Sequence, residues 1–158
     1  MQKVVTNLWF DGRIEEALAL YTSLLPDSRV LGITRYGEAG QGADDEIMFA
    51  DFELAGQRFS IINGNSYFKP NAAFSLCINC VDQAEIDRLW EALTTNGGAE
   101  SQCGWLTDRF GVSWQITPTR LGEMMTSGDA DAVARVTAAF MKMKKLDIAE
   151  LERAYRDE

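Results

Sequence analysis

The sequence has no histidine among its 158 residues. Imidazole is the general base of Ser-His-Asp and Cys-His nucleophile systems, and it is a ligand in H-E-x-x-H zinc hydrolases and in two-His-one-carboxylate iron sites. These catalytic arrangements are therefore excluded. Any acid–base chemistry in this protein must come from carboxylates, lysine, tyrosine or cysteine.

Cysteine is also scarce, and its three residues, Cys77, Cys80 and Cys103, cannot all pair within one chain. Cys77 and Cys80 match the C-x-x-C pattern, whose redox form lies at the N-terminus of a helix, where the thiol pKa is lowered. Here the motif falls inside a predicted strand, and residues three apart on a strand point to opposite faces. We therefore expect buried structural thiols rather than a redox or zinc site.

Basic residues are outnumbered, since 15 Lys and Arg stand against 24 Asp and Glu, which gives a net charge of −9. Such a chain repels phosphate backbones and anionic membranes, so nucleic acid and membrane partners are not expected. No apolar run approaches the roughly 20 residues of a membrane span, and the N-terminus has no signal-peptide core. We expect a soluble, cytoplasmic protein.

Apolar residues make up 46% of the chain, which is enough for a hydrophobic core, and the length fits a single domain. In the first half, short apolar runs between turn signals predict strands, and apolar residues at three- and four-residue spacing predict a helix. The predicted strands span residues 3–10, 29–36, 46–54 and 57–63, the helix spans 13–25, and a glycine-rich acidic loop spans 37–45.

The same order of elements begins again at residue 72. Asp82 is the predicted N-cap of a second helix, with Glu85 as its capping-box partner. Strands are predicted over 72–80, 100–107 and 112–117, the second helix runs to about Thr95, and the C-terminal helices span 120–156 with breaks near 127–129 and 146–147. The basic run Lys142, Lys144 and Lys145 is expected on a solvated helix face.

The recurrence is visible in residues as well as in element order. Residues 16–21 align with 85–90, and residues 56–61 align with 111–116. Two matches in the same order predict a duplicated β-α-β-β-β unit.

A long stretch near the end of the second half carries a family resemblance. Residues 102–115 (QCGWLTDRFGVSWQ), together with 8–12 (LWFDG), 15–17 (EEA) and 143–147 (MKKLD), resemble the PhnB-like branch of the glyoxalase/bleomycin-resistance, or vicinal-oxygen-chelate, superfamily. Members are often labelled 3-demethylubiquinone-9 3-methyltransferase. The resemblance implies an α+β fold of paired βαβββ modules around a cupped site, in a homodimer. Module one would span 1–64, module two 72–118, and the C-terminal helices 120–156.

Metal-dependent relatives hold a divalent ion on the first and last strands of each module, with His, Gln or Glu. The resemblance places these positions at Val4 or Thr6, Ser60, Ala73 or Ser75, and Gln115. Valine and alanine cannot ligate, hydroxyls are weak ligands, and Gln115 is a single neutral amide at the place of a family Glu. We therefore expect no bound metal.

The resemblance also places neighbouring strand residues on opposite faces of each predicted sheet. Gln115 and Ser60 are expected to face the cup, and Trp114 and Phe59 to face a helix, because successive strand residues point opposite ways. The alternative for each aromatic residue is an ordinary core position. The candidate ligand-binding residues are Gln115, Ser60, Trp9, Asn63, Gln102, Cys103 and Trp105.

No cofactor motif is found in the sequence. The segment 37–42 (GEAGQG) has the wrong glycine order for a nucleotide-binding turn, and a strand rather than a helix follows it. Asp108 and Arg109 are expected to form a turn whose aspartate caps backbone amides. Two functions remain: a metal-independent small-molecule binding protein, or a superfamily lyase, isomerase or dioxygenase with a metal completed by its substrate. The sequence identifies neither catalytic residues nor the ligand.

Overall fold

The computed structural model describes residues 2–37 and 45–158. The chain divides into two compact units, Met1–Pro70 and Asn71–Glu158, here called unit one and unit two. None of the helices in the described ranges is long and apolar enough to cross a membrane. The element order is β1 (Thr6–Phe10), α1 (Ile14–Leu24), β2 (Arg29–Arg35), β3 (Ile47–Leu54), β4 (Gln57–Asn63), β5 (Leu76–Cys80), α2 (Gln83–Thr94), β6 (Ala99–Glu100), β7 (Trp105–Thr107), β8 (Ser113–Pro118), α3 (Thr119–Met125), α4 (Ala130–Phe140) and α5 (Ile148–Arg156).

Each unit contains one four-stranded sheet, and the two sheets have the same topology. The strand order is β1-β4-β3-β2 in unit one and β5-β8-β7-β6 in unit two. In both, the first strand lies parallel to the last, and the other neighbours are antiparallel. The α+β prediction of two βαβββ modules is confirmed.

The strand register confirms the residue alignment between the two halves. In unit one, Phe59 pairs with Thr6 and Ser60 pairs with Asn7. In unit two, the aligned residues Trp114 and Gln115 occupy the same places in the sheet, because they pair with the first and second residues of β5.

Burial alternates along the central strands because strand residues point alternately to opposite faces. Phe59 and Ile61 are 3% and 0% exposed, and Trp114 and Ile116 are both 0% exposed. These residues form the core beneath α1 in unit one and beneath α2 in unit two. The opposite face of each sheet, here called the open face, carries the partly exposed residues between them.

The second helix begins as its sequence predicts. The Asp82 carboxylate accepts a hydrogen bond from the Glu85 amide at 2.8 Å, and the Glu85 carboxylate accepts one from the Val81 amide at 2.8 Å. The reciprocal bond thus reaches one residue further back than in the usual capping box.

Helices α3, α4 and α5 build a small core of their own at the end of unit two. Met124, Val136, Met143, Leu146 and Leu151 are buried together. Arg120 on α3 donates to Glu152 on α5 at 2.6 Å, which ties the first and last helices. The breaks predicted near 127–129 and 146–147 both fall between these helices.

Three predicted elements differ from the structure. The strand expected over 100–107 is two short strands, β6 and β7, separated by a turn, because Cys103 and Gly104 take left-handed φ values of 58° and 82°. The first strand of unit two begins at Leu76 rather than at residue 72. The basic run 142–145 lies in a non-helical segment between α4 and α5 rather than on a helix face. Residues 38–44 of the expected glycine-rich loop lie outside the described residues.

Candidate functional site

The open face of the unit-two sheet brings together three side chains around Gln115. Gln115 lies on β8 between Cys77 on β5 and Trp105 on β7, which are its cross-strand partners. Its Nε2 donates to the Ser75 hydroxyl at 2.9 Å. Within the described residues, nothing donates to Gln115 Oε1, so this oxygen is available as an acceptor.

A pocket of about 360 Å³ opens beside Trp105 in the same unit. Three sequence-predicted site residues line it together: Gln102, Cys103 and Trp105. The remaining lining residues are Ala72, Ser101, Leu106, Thr107 and Ser113. None of these eight residues carries a formal charge, so the pocket suits a neutral molecule in spite of the acidic composition of the chain.

Ser113 is a candidate residue that sequence reasoning missed. It is 4% exposed, it lines the pocket, and its hydroxyl makes no hydrogen bond with any residue in the described ranges. Because Ser113 lines the pocket, water or a ligand that enters the pocket can form a hydrogen bond with this hydroxyl. Its position two residues before Gln115 places both side chains on the open face, and this spacing is the signal that could have identified it.

The turn between β7 and β8 is organised by Asp108, which is 2% exposed. One carboxylate oxygen accepts from the amides of Phe110 and Val112 at 2.8 and 3.1 Å. The other accepts from the indole nitrogen of Trp114 at 2.8 Å. The predicted capping role is confirmed, and the Trp114 contact also fixes the start of β8, on which Ser113 and Gln115 lie.

The open face of unit one has a different chemical character. Ser60 lies between Asn7 and Asp51 in one row across the sheet. Arg58 donates to Asp51 at 2.9 Å on the same face. Charged groups therefore border Ser60, whereas uncharged groups surround its counterpart Gln115.

Trp9 and Asn63 are both engaged within unit one. The Trp9 indole nitrogen donates to the Asn65 carbonyl at 2.9 Å, and its ring meets Phe68 edge-on at 5.1 Å between centroids. The Asn63 amide accepts from the Gly12 backbone at 3.0 Å and donates to the Ile47 carbonyl at 3.1 Å. These contacts stabilise the loop before α1 and the start of β3, and a ligand-binding role for either residue stays a prediction.

The cysteines follow the strand geometry expected of the C-x-x-C motif, with one correction. Cys80 is 0% exposed, and burial raises the pKa of its thiol to about 12, with a smaller contribution from Glu85. Cys77 is exposed rather than buried, because β5 turns its side chain to the open face. Cys77, Cys80 and Cys103 are all free thiols.

The residues at the family's metal positions do not fit a divalent ion. Val4 is 81% exposed, and Ala73 lies in a turn before β5. The remaining donors are the hydroxyls of Thr6, Ser60 and Ser75 and the amide oxygen of Gln115, with no imidazole or carboxylate among them. In residues 2–37 and 45–158, no cluster of three or more His, Cys, Asp or Glu side chains could hold a metal ion.

Comparison with known proteins identifies the family. A family model described as 3-demethylubiquinone-9 3-methyltransferase matches residues 2–117. The chain belongs to this family. A search among curated proteins finds no significant match.

Similar solved structures identify the fold of this member of the 3-demethylubiquinone-9 3-methyltransferase family. A protein from Bacillus cereus, titled a putative 3-demethylubiquinone-9 3-methyltransferase, PhnB protein, is 38% identical, with a TM-score of 0.70 over 75% of this chain and 100% of its own. Protein PA1353 from Pseudomonas aeruginosa is 25% identical, with a TM-score of 0.61 over 75% of this chain and 98% of its own. The fosfomycin resistance protein FosX from Listeria monocytogenes, solved with Mn(II) and sulfate, is 12% identical, with a TM-score of 0.55 over 80% of this chain and 98% of its own. The fold is that of the glyoxalase/bleomycin-resistance superfamily.

The family match ends at residue 117, one residue before the end of β8. Helices α3 to α5 therefore lie outside the matched range. The resemblance expected over residues 143–147 falls outside this matched range and stays a prediction.

Proposed function

We propose that this protein is a metal-independent small-molecule binding protein whose site lies on the open face of the unit-two sheet. The observation that carries the proposal is the uncharged polar set around Gln115 and the neighbouring pocket. Gln115 Oε1 offers an acceptor, the Ser113 hydroxyl offers a donor or acceptor, and Trp105 offers an aromatic surface. The ligand class is a small, uncharged, partly aromatic molecule with at least one hydrogen-bonding oxygen.

The methyltransferase activity in the family's description is not supported by this arrangement. Rossmann-type methyltransferases bind their cofactor at a glycine-rich turn between a parallel strand and a helix. In unit one, the turn from β1 to α1 consists of Asp11, Gly12 and Arg13, so it has a single glycine rather than a glycine-rich run. The strand pair β1 and β4 is parallel, and the other strand pairs described in this unit are antiparallel. S-adenosylmethionine is therefore not proposed as a cofactor, and saturable micromolar binding of it in a calorimeter would contradict this.

A superfamily enzyme is the alternative function. Gln115 Oε1 is the one group at the family's metal positions that could contribute a strong neutral ligand, and a substrate would have to supply most of the remaining donors. FosX with Mn(II) shows the same fold at 12% identity. Metal that binds only together with a substrate would favour this alternative.

The proposal includes a homodimer in the cytoplasm. An apolar row on the open face of unit one supports dimer formation, because Trp9, Ile62 and Phe49 are neighbours across three strands and Phe49 is 38% exposed. A second copy that covers such a face by two-fold symmetry is the commonest closed solution.

Binding of neutral ring compounds tests the proposed function. Wild-type protein in EDTA is titrated with 2-naphthol and a panel of neutral one- and two-ring phenols and ketones, with tryptophan fluorescence as the readout. We expect saturable binding that Gln115→Ala and Ser113→Ala each weaken by about 1 kcal/mol, the usual size of a lost neutral hydrogen bond. Gln57→Ala, an exposed glutamine on β4, is the matched control and leaves binding unchanged. Absence of saturable binding, or equal binding by Gln115→Ala, would contradict the proposal.

A further inference from the structure

The segment between α4 and α5 lies against the turn that forms one wall of the unit-two pocket. This segment, residues 141–147, is here called the strap. The Cys103 amide donates to the Met143 carbonyl at 2.7 Å, and the Gly104 amide donates to the Lys144 carbonyl at 2.7 Å. Two short backbone hydrogen bonds therefore join the pocket turn to a part of the chain about 40 residues further on.

The pocket turn has a backbone conformation that needs such support. Cys103 has φ of 58° and Gly104 has φ of 82°, and a residue with a side chain rarely adopts the left-handed region. The Gly104 carbonyl accepts from the Ile116 amide at 2.8 Å, which joins the turn to β8 on its other side. Because Gln102, Cys103 and Trp105 line the pocket, the conformation of this turn sets the shape of its wall.

The strap is itself fixed at a distance from the pocket. On α2, Gln83 Nε2 donates to the Leu146 carbonyl at 3.1 Å, and Gln83 Oε1 accepts from the Ile148 amide at 2.9 Å. Lys145 pairs with Asp87 on the same helix at 2.6 Å. Gln83 and Asp87 do not line the pocket, and their bonds to the strap connect them to the turn that forms its wall.

We propose that the C-terminal extension, which comprises helices α3 to α5 and the strap, is a positioning element that holds the pocket turn in its ligand-binding conformation. Strap residues Met143, Lys144 and Leu146 are the contact points on the extension, and Gln83 is the positioning residue on α2. The expected effect on ligand affinity rests on the proposed ligand-binding function, whereas the expected effect on the conformation of the turn does not. Helices α3 to α5 and the strap between them lie outside residues 2–117, the range that the family model matches.

The test compares Gln83→Ala with wild-type protein in two measurements. The first is the rate of alkylation of each cysteine by iodoacetamide, followed by peptide mass spectrometry. Loss of both Gln83 hydrogen bonds shifts the local opening equilibrium of the strap, and we expect Cys103 to react at least about fivefold faster. Cys77 reports on β5 in the same molecule and keeps its rate, and Glu91→Ala, an exposed α2 variant, changes neither rate.

The second measurement is the dissociation constant of 2-naphthol, which we expect Gln83→Ala to raise by about threefold to tenfold. If wild-type protein does not bind 2-naphthol but Cys103 is still exposed by Gln83→Ala, the proposed function fails with this probe and the positioning role stands. If Gln83→Ala folds with an unchanged Cys103 rate, the positioning role is overturned.

Amide hydrogen exchange of the unaltered protein gives the same test without a variant. The proposal expects the Cys103 and Gly104 amides to be protected as strongly as the Ile116 amide of β8, because each donates a backbone hydrogen bond. Rapid exchange at Cys103 and Gly104 beside a protected Ile116 would overturn it.

Discussion

Neighbouring residues on β8 face either the core or the open face of the sheet, because the strand is pleated. Trp114 is fully buried beneath α2, while Ser113 and Gln115 on either side of it face the pocket and the open face. The division between Trp114 and Gln115 could be predicted from alternation alone. Ser113 was not predicted, because a serine next to a tryptophan gives no sign that its hydroxyl has no partner among residues 2–37 and 45–158.

Asp108 is expected to be the most sensitive polar residue of the motif 102–115. Its carboxylate accepts three hydrogen bonds while 2% exposed, so Asp108→Ala leaves two amides and an indole N–H without their acceptor. We expect a loss of about 2–4 kcal/mol in the free energy of unfolding, measured by urea titration. Asp11→Ala, an exposed turn aspartate, should change it by less than about 0.5 kcal/mol. Equal effects of the two variants would contradict the role of Asp108.

The buried thiol of Cys80 makes stability depend on pH in the alkaline range. Burial raises its pKa from the ordinary value of 9.0 to about 12, so above pH 9.0 the unfolded chain loses a proton that the folded chain keeps. Stability is therefore lost as pH rises from 9.0 toward 12, at up to about 1.4 kcal/mol per pH unit from this group. Cys80→Ala should remove this contribution, so the difference in unfolding free energy between the two proteins should change between pH 8 and 10.5. Parallel curves would contradict the account.

At the scale of elements, the order of helices and strands could be predicted, but the turn at 101–104 could not. The residues of this turn read as a continuation of a strand, because nothing before Gly104 marks a left-handed conformation. Its conformation depends on Met143 and Lys144, and backbone hydrogen bonds over such a sequence distance leave no periodic signal. The N-cap at Asp82 was predictable because its partner lies only three residues away.

Gly104 is the position at which this packing can be tested directly. A Cβ added there would lie 2.9 Å from the Ile116 carbonyl oxygen and 3.0 Å from Leu146 Cδ1, at a φ of 82°. Gly104→Ala should therefore destabilise the protein by about 2 kcal/mol or more in thermal or urea unfolding. Gly122→Ala on α3 is the matched control, because nothing lies within 4 Å of its added Cβ. It should raise stability by up to about 1 kcal/mol through helix propensity.

At the scale of the whole molecule, the duplicated topology followed from aligned pairs of segments in the sequence. The aligned residues occupy matching places in the two sheets, so the alignment was informative at the level of single positions. The chemistry of the two open faces could not be predicted in the same way. Charged residues on β3 and β4 surround Ser60, whereas Gln115 has uncharged partners, because duplication preserves the fold while side chains diverge.

The oligomeric state is a second property of the whole molecule. Because the open face of unit one carries an apolar row that includes the partly exposed Phe49, we expect a homodimer at micromolar concentration. Light scattering after gel filtration should give about twice the chain mass of 17.6 kDa. Phe49→Glu should shift the mass toward that of the monomer, while Asn96→Glu, an exposed loop variant, leaves it unchanged. A monomer in wild-type protein would reject the dimer.

The metal content of the folded protein distinguishes metal-independent binding from the enzyme alternative. Wild-type chain is purified without chelator, incubated with Mn(II), Ni(II) or Zn(II), passed through a desalting column and analysed by inductively coupled plasma mass spectrometry. The candidate donors, Gln115 and Ser75 in unit two and Thr6 and Ser60 in unit one, include none of the anionic or imidazole ligands that a divalent ion needs, so we predict less than about 0.1 metal ion per chain. A value near one ion per chain that falls in Gln115→Ala would contradict metal-independent binding and favour the enzyme alternative.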